Sequence, residues 1–296
     1  MSEQKHLECL LTQGKITRRD FLARLSALGI TATLSPALLT TSVSAATPQK
    51  GGRLRLGVAG GSTTDSLDPG KITDAMAMSI NWQVRNCLVE VDHKGHPVPE
   101  LAESWEPIPG AAKWMFKLRQ DVEFHNGKAL EAEDVIFSIN HHRGKDSKSA
   151  AKGIVDPIQD IRADGNHIVV FTLKEGNADF PFILSDYHLT IVPAGTTGAE
   201  WEKGAGTGGY VLVSHEPGYN ALTKRNPNYW KQSRAHFDEV ETIGIADVTA
   251  RATALNTGQI DAMNRFELKT IHLLKRVTGL QIINVTGNRH FSIPML

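Results

Sequence analysis

Cysteine is almost missing from this chain of 296 residues, which holds only Cys9 and Cys87. A disulfide framework is therefore excluded as the source of stability, and no close cysteine pair offers thiolates to zinc. A chain of this length buries a core without such staples. An excess of charge is missing as well, because 32 basic residues balance 32 acidic ones. No basic stripe invites nucleic acid, and no block of like charge forms an interaction tail. Long apolar runs are also missing, since nothing approaches the ~20 consecutive apolar residues of a membrane-spanning helix. The composition, 41% hydrophobic and 22% charged, is that of an ordinary globular protein with room for about two domains.

Catalytic signatures are missing too. There is no H-E-x-x-H pair and no G-x-S-x-G elbow. Gly204-Ala205-Gly206-Thr207-Gly208-Gly209 matches G-x-G-x-x-G, but Trp201-Glu202-Lys203 precedes it and a strand pattern comes after. A dinucleotide fingerprint needs strand, motif and helix in that order, so the match is rejected. His93 and His96 flank Lys94-Gly95 as in a turn, and His141 and His142 are adjacent without an i+4 partner. Solvated histidines and carboxylates are the expectation at these positions. No catalytic residue, metal ligand or cofactor is assigned.

The first 46 residues read as an export leader. Thr17-Arg18-Arg19-Asp20-Phe21-Leu22 has the form of a twin-arginine motif. A mildly apolar stretch, Leu25 to Leu39, comes next, and Ser42-Val43-Ser44-Ala45-Ala46 then offers small residues for cleavage. The remainder, with five basic and three acidic residues removed, carries a net charge of −2. A periplasmic protein delivered by the Tat translocase is the expectation, with one thiol at Cys87.

Along the rest of the chain the pattern is mixed. Arg53 to Val58 alternates as a strand, with Leu54, Leu56 and Val58 on one face. It breaks into Ala59-Gly60-Gly61-Ser62-Thr63-Thr64-Asp65, a flexible polar loop whose glycines admit close approach of a ligand to the backbone. Asp74 to Val89 reads as a helix with Met78, Trp82 and Val84 or Arg85 at helical spacing. Trp114, Phe116 and Leu118 share a strand face, and Asn126-Gly127 marks a tight turn. A helix starts near Ala132, with acidic residues crowding its first turn. Asp164-Gly165-Asn166 joins two strands, and Tyr210 to Val213 forms another. Asp247 caps a helix ending before Gly258, and Ile260-Asp261-Ala262 opens a last strand.

From Pro99-Glu100-Leu101-Ala102-Glu103-Ser104-Trp105-Glu106 onward the chain resembles the family 5 extracellular solute-binding proteins, the dipeptide and oligopeptide binders. The likeness continues through Trp114-Met115-Phe116-Lys117-Leu118-Arg119, Val122 to Lys128 and Ala132 to Ser138. Downstream it includes Gly206-Thr207-Gly208-Gly209-Tyr210, Arg225 to Trp230, Phe237 to Val240 and Gly258-Gln259-Ile260-Asp261. Trp105, Trp114, Phe116, Phe124 and Phe137 in these tracts fit a scaffold role better than a ligand role. Gly209 stands where the family pattern has proline, and only a looser turn is expected from it.

The resemblance implies a mixed α/β fold like that of periplasmic binding proteins. Residues 47–67 and 206–296 are expected to form the sheet domain of a first lobe, and 68–205 an inserted α+β subdomain. Family members are longer, and Arg289 to Leu296 resembles the crossing into a second lobe, which is largely absent from this sequence. The implied function is ligand capture by a monomer for the membrane permease of an ABC transporter, without covalent chemistry. The ligand is a peptide or related small solute; the alternative is an opine, oligosaccharide, metal chelate or haem, and a periplasmic hydrolase ranks behind both. Family position and chemistry together make Gly60, Gly61, Ser62, Thr63 and Thr64 the candidate ligand-binding residues, through hydroxyls and exposed amides.

Overall fold

The computed structural model describes residues 48–277 and 279–283. The expected leader, with Cys9 and the Arg18-Arg19 pair, lies outside the described residues. Every helix and strand among the described residues belongs to one compact unit, Lys50–Leu296.

Strand β1 (Arg53–Val58) is the first of eleven among the described residues. Short strands β2 (Val89–Val91) and β3 (Pro97–Pro99) form a two-stranded ribbon. Four longer ones, β4 (Ala102–Ile108), β5 (Lys113–Leu118), β6 (Ile158–Ala163) and β7 (Ile168–Leu173), form an antiparallel sheet in the order β4-β5-β7-β6. Strands β8 (Tyr210–Glu216), β9 (Asn220–Arg225), β10 (Glu239–Gly244) and β11 (Ala262–Met263) join β1 in a second sheet, ordered β11-β1-β10-β9-β8. There β1 runs parallel to both β10 and β11, while β9 runs antiparallel to its two neighbours, β10 and β8. This mixture of helices with a mixed and an antiparallel sheet is the α/β class read from the sequence.

Among the described residues three helices are longer than two turns: α1 (Ala75–Val84), α2 (Ala132–His141) and α3 (Val248–Asn256). Each starts on an acidic residue. Asp74 accepts from the Met76 and Ala77 amides, Asp247 accepts from Ala250, and Glu131 forms a capping box with Asp134. Asp134 does more than favour the helix dipole, since it is fully buried. Its carboxylate takes Lys128 Nζ at 2.6 Å and the amide of Ala194 at 2.7 Å.

Helix α1 departs from expectation at its end and on its face. It stops at Val84, because the glycines of the Gly206-Thr207-Gly208 tract pack backbone to backbone against its last turn. A Cβ on Gly206 would stand 2.2 Å from the Val84 carbonyl oxygen, and one on Gly208 2.4 Å from that of Gln83. Its buried stripe is Met76, Ile80 and Val84, whereas Trp82 is 44% exposed. Both stripes satisfy helical spacing, and the sheet selected the smaller side chains. Arg85, just past the helix, is fully buried and donates to the carbonyls of Leu67, Trp201 and Ala205. Burial lowers its pKa to about 10, against the pull of Asp68 and Glu202.

The larger core lies under the antiparallel sheet. Phe116, Phe171 and Phe180 meet there edge to face, with Val135 and Ile139 of α2 and the signature residues Trp114 and Phe124 buried among them. Trp105 packs against this core only partly buried, and Phe137 stacks on Trp201 instead. A smaller core of Val58, Leu67, Met76, Ile80 and Ala221 joins α1 to the mixed sheet. The Gly-Gln-Ile-Asp tract closes the edge of that sheet. Ile260 fills the space over Gly57, and Asp261 takes the backbone amide of Arg55 at 2.8 Å together with its guanidinium.

Candidate functional site

In sheets with parallel strands, ligands bind outside the carboxyl ends of those strands. Here β1, β10 and β11 point the same way, so the loops after Val58, Gly244 and Met263 leave one edge together. The turn from β8 to β9 reaches the same edge, because Asn220 pairs with Ile243. The expected segment Gly60 to Thr64 is therefore placed at this edge by β1. Two neighbours complete the placement. Asn264 Oδ1 accepts the amide of Ala59 at 2.8 Å, and the amide of Ile245 donates to the Val58 carbonyl at 2.9 Å.

Within the loop, residues divide by role. Gly60 and Gly61 have φ of 102° and 105°, conformations that side chains rarely adopt. A Cβ on Gly61 would meet the Gly218 carbonyl oxygen at 2.9 Å, and one on Gly218 would meet the Ser62 carbonyl carbon at 2.7 Å. These glycines let two turns pack against each other, so Gly61 carries a structural duty the sequence did not reveal. Ser62, Thr63 and Thr64 are exposed. Ser62 Oγ lies 2.9 Å from Thr64 Oγ1, and the Ser62 amide donates to Asp65 at 2.8 Å. Asp74 ties the loop to α1, accepting the Gly61 amide at 3.3 Å while capping the helix. Burial, and then the neighbouring Asp74 carboxylate, push the Asp65 pKa up.

Residues not singled out from the sequence share this edge. Tyr219, 62% exposed, follows Gly218, and its carbonyl accepts the Gly244 amide at 2.9 Å. Glu202 anchors the far end of the loop, taking Ser66 Oγ at 2.6 Å and the Leu67 amide at 3.2 Å. A cavity of about 520 Å³ opens beside it, lined by Asp65, Glu202, Leu212, Ser214 and His215 among others. Burial lowers the His215 pKa, opposed by Glu202, whose Oε2 is 3.7 Å from Nδ1. Tyr219 was legible as part of Pro217-Gly218-Tyr219, a turn signal between alternating runs. Glu202 carried no local signal, because its partners are 135 and 136 positions away.

Two of the histidines expected on the surface are tied into the fold, His142 buried and His141 half-buried. His142 is buried and its Nδ1 lies 2.7 Å from Ser149 Oγ. Its pKa is lowered to about 4, first by burial and then by His141. His141 Nε2 lies 2.6 Å from Asp68 Oδ1, and its ring packs on Trp201. Burial alone would raise the Asp68 pKa, but the His141 and Gly70 hydrogen bonds overcome it and hold the value at about 2. Glu100 and Asp134 are buried anchors as well, which corrects the reading of the carboxylates as uniformly solvated. By contrast His93 and His96 occupy the expected turn, where Asp92 accepts the amides of Lys94 and His96. Among the described residues no group of three potential ligands could hold a metal ion.

Comparison with known proteins agrees with this architecture. The model of the bacterial extracellular solute-binding proteins, family 5 Middle, matches residues 96–295. The periplasmic oligopeptide-binding protein OppA of Escherichia coli K12 is 27% identical over 229 residues, covering 69% of this chain and 42% of its own length. The oligopeptide-binding protein AppA of Bacillus subtilis is 29% identical over 232 residues, 75% of this chain and 42% of its own. A structure of the binding protein AgaA from A. tumefaciens R10, in complex with agropinic acid, superposes with a TM-score of 0.71 at 24% identity. It covers 77% of this chain and 46% of that one. The chain spans less than half the length of each of these relatives. With a family model matched over two thirds of its residues, the chain belongs to the bacterial extracellular solute-binding proteins of family 5.

Proposed function

We propose that this chain serves as the substrate-binding part of an ABC transporter, capturing peptides or related small solutes at the carboxyl edge of its mixed sheet. The observation that carries the reading is the exposed Ser62-Thr63-Thr64 run, held at that edge in a chain of this family. Hydroxyls and amides there suit the polar backbone of a peptide. The ligand is bound and released unchanged, and a membrane permease receives it. Residues 47–67 and 206–296 form one sheet domain in this reading, with 68–205 inserted. The five-stranded sheet draws β1 from one side of that insertion and β8 to β11 from the other, which supports the division. Arg18-Arg19 and the apolar stretch after them support periplasmic delivery through the Tat translocase, and the binder acts as a monomer.

A second reading replaces the peptide with an opine or metal chelate. The agropinic acid bound by the structurally similar AgaA favours keeping it. Calorimetric titration of the chain with trialanine and a tetrapeptide panel, with agropinic acid and nickel–histidine in parallel, separates the two. Saturable peptide binding that weakens at least tenfold in Ser62→Ala/Thr63→Ala supports the first reading. Binding of only the non-peptide ligands replaces it with the second, and peptide binding indifferent to the double variant removes the loop from the site.

A further inference from the structure

A cavity of about 450 Å³ lies away from the carboxyl edge, bordered by Trp82, Tyr229, Lys231, Arg234 and the carboxylates Glu90 and Glu100 among others. Helix α1 separates the two places. Its capping residue Asp74 bonds the candidate loop, whereas Trp82 and Gln83 belong to its last turn, on the order of 12 Å further along at ~1.5 Å per residue. We propose that this cavity is a second small-molecule site, built for a small carboxylate with a flat aromatic body.

The walls supply the first argument. Trp82 is 44% exposed at the cavity, in a helix whose Met76, Ile80 and Val84 are buried. An exposed indole beside a concavity is a typical ligand-facing arrangement, since a flat apolar partner removes its surface from water. The ring of Tyr229 borders the same cavity and packs beside the backbone of Gly209, which is itself part of the wall. A Cβ at position 209 would stand 3.1 Å from Cε1 of that ring and 3.0 Å from the Ala235 Cβ. A side chain there would crowd the tyrosine ring, which would have to give slightly. This is the position where the family pattern has proline, and glycine here leaves the ring room against the backbone.

The polar groups supply the second argument, through which of them are already occupied. Gln83 exchanges hydrogen bonds with Thr242 and Thr223, and Asn86 with Glu100 and Thr207. Lys231 Nζ is shared between Glu90 and Glu100 at 2.7 Å each. Arg234 is different. Its side chain is 61% exposed, and its one ion pair is a single 3.3 Å contact from Nη2 to Glu90. The remaining N–H groups of the guanidinium face no protein acceptor among the described residues, and their fork geometry matches a carboxylate. The volume falls in the ~300–1,000 Å³ range of small-molecule sites.

The test titrates the chain with 3-phenylpropionate and with its neutral amide, 3-phenylpropionamide, following tryptophan fluorescence and heat. The expected result is saturable binding of the acid, at least tenfold weaker binding of the amide, and a similar loss in Arg234→Met. Arg234 is exposed, so that variant should melt with the parent chain. Trp82→Ala should weaken binding and Trp82→Phe retain it, while Ser62→Ala leaves it unchanged and so separates this site from the loop. The proposal is overturned by absent saturation with the acid, by equal binding of the amide, or by full affinity in Arg234→Met.

Discussion

The ammonium of Lys231 lies 2.7 Å from Oε1 of Glu100, a residue 131 positions earlier in the chain. Glu100 is buried, and besides Lys231 its carboxylate accepts from Asn86 Nδ2 and the Cys87 amide. Burial lowers the Lys231 pKa, but Glu100 and then Tyr229 outweigh it, and the net displacement is upward.

Removing that ammonium leaves a buried carboxylate without its countercharge, a loss of about 3 kcal/mol. Lys231→Met should therefore unfold at markedly lower urea, and adding Glu100→Gln should restore part of the loss. A double-mutant cycle in urea measures the coupling. The lysine's contribution is complete below its unfolded pKa of ~10.4 and disappears as pH rises through the higher folded value.

His142 predicts an acid-side dependence. The unfolded chain takes up this proton near pH ~6.5, whereas the folded chain resists it down to about 4. Stability is thus full above the unfolded value and falls as pH drops through this window, by about 2 kcal/mol or more. Urea midpoints at pH 7 and pH 5 should show the drop, and His142→Phe should flatten it. An equal drop in the variant would assign the proton elsewhere.

Gly61 and Ser62 should behave oppositely despite being neighbours. Gly61→Val forces a branched side chain onto a φ of 105° and against the Gly218 carbonyl, at a cost of about 2 kcal/mol. Ser62→Ala removes an exposed hydroxyl and should stay within ~0.5 kcal/mol of the parent. Thermal melts of the two variants decide this. A valine variant that melts with the parent would refute the packing of the two turns.

Local chemistry made much of the fold legible. The Asp247 cap, the Asn126-Gly127 turn and the alternation of Lys113–Leu118 are all decided by residues close in sequence, and the structure contains each. The end of α1 was not legible, because glycines more than 100 positions later stop it. Nor was the burial of Arg85 and His142, since a polar side chain becomes a core residue only when distant carbonyls and hydroxyls meet it. The candidate loop was legible by its place after β1. Its division into packing glycines and exposed hydroxyls depended on the Gly218 turn, which no spacing rule connects to it.

The sheet that carries the loop has a kinetic consequence. Arg53 of β1 bonds Glu239 of β10 across 186 positions, while β8 and β9 are joined by a short turn. Closing the long connection costs about 3 kcal/mol more chain entropy than closing a hairpin of ~6 residues. Strands β4 to β7 are delayed less, because their longest pairing, Lys113 with Thr172, spans 59 positions and closes for about 1 kcal/mol less than the β1–β10 pairing. By contact order, β1, the first strand among the described residues, should gain its partners late, waiting for strands made long after it to complete the mixed sheet.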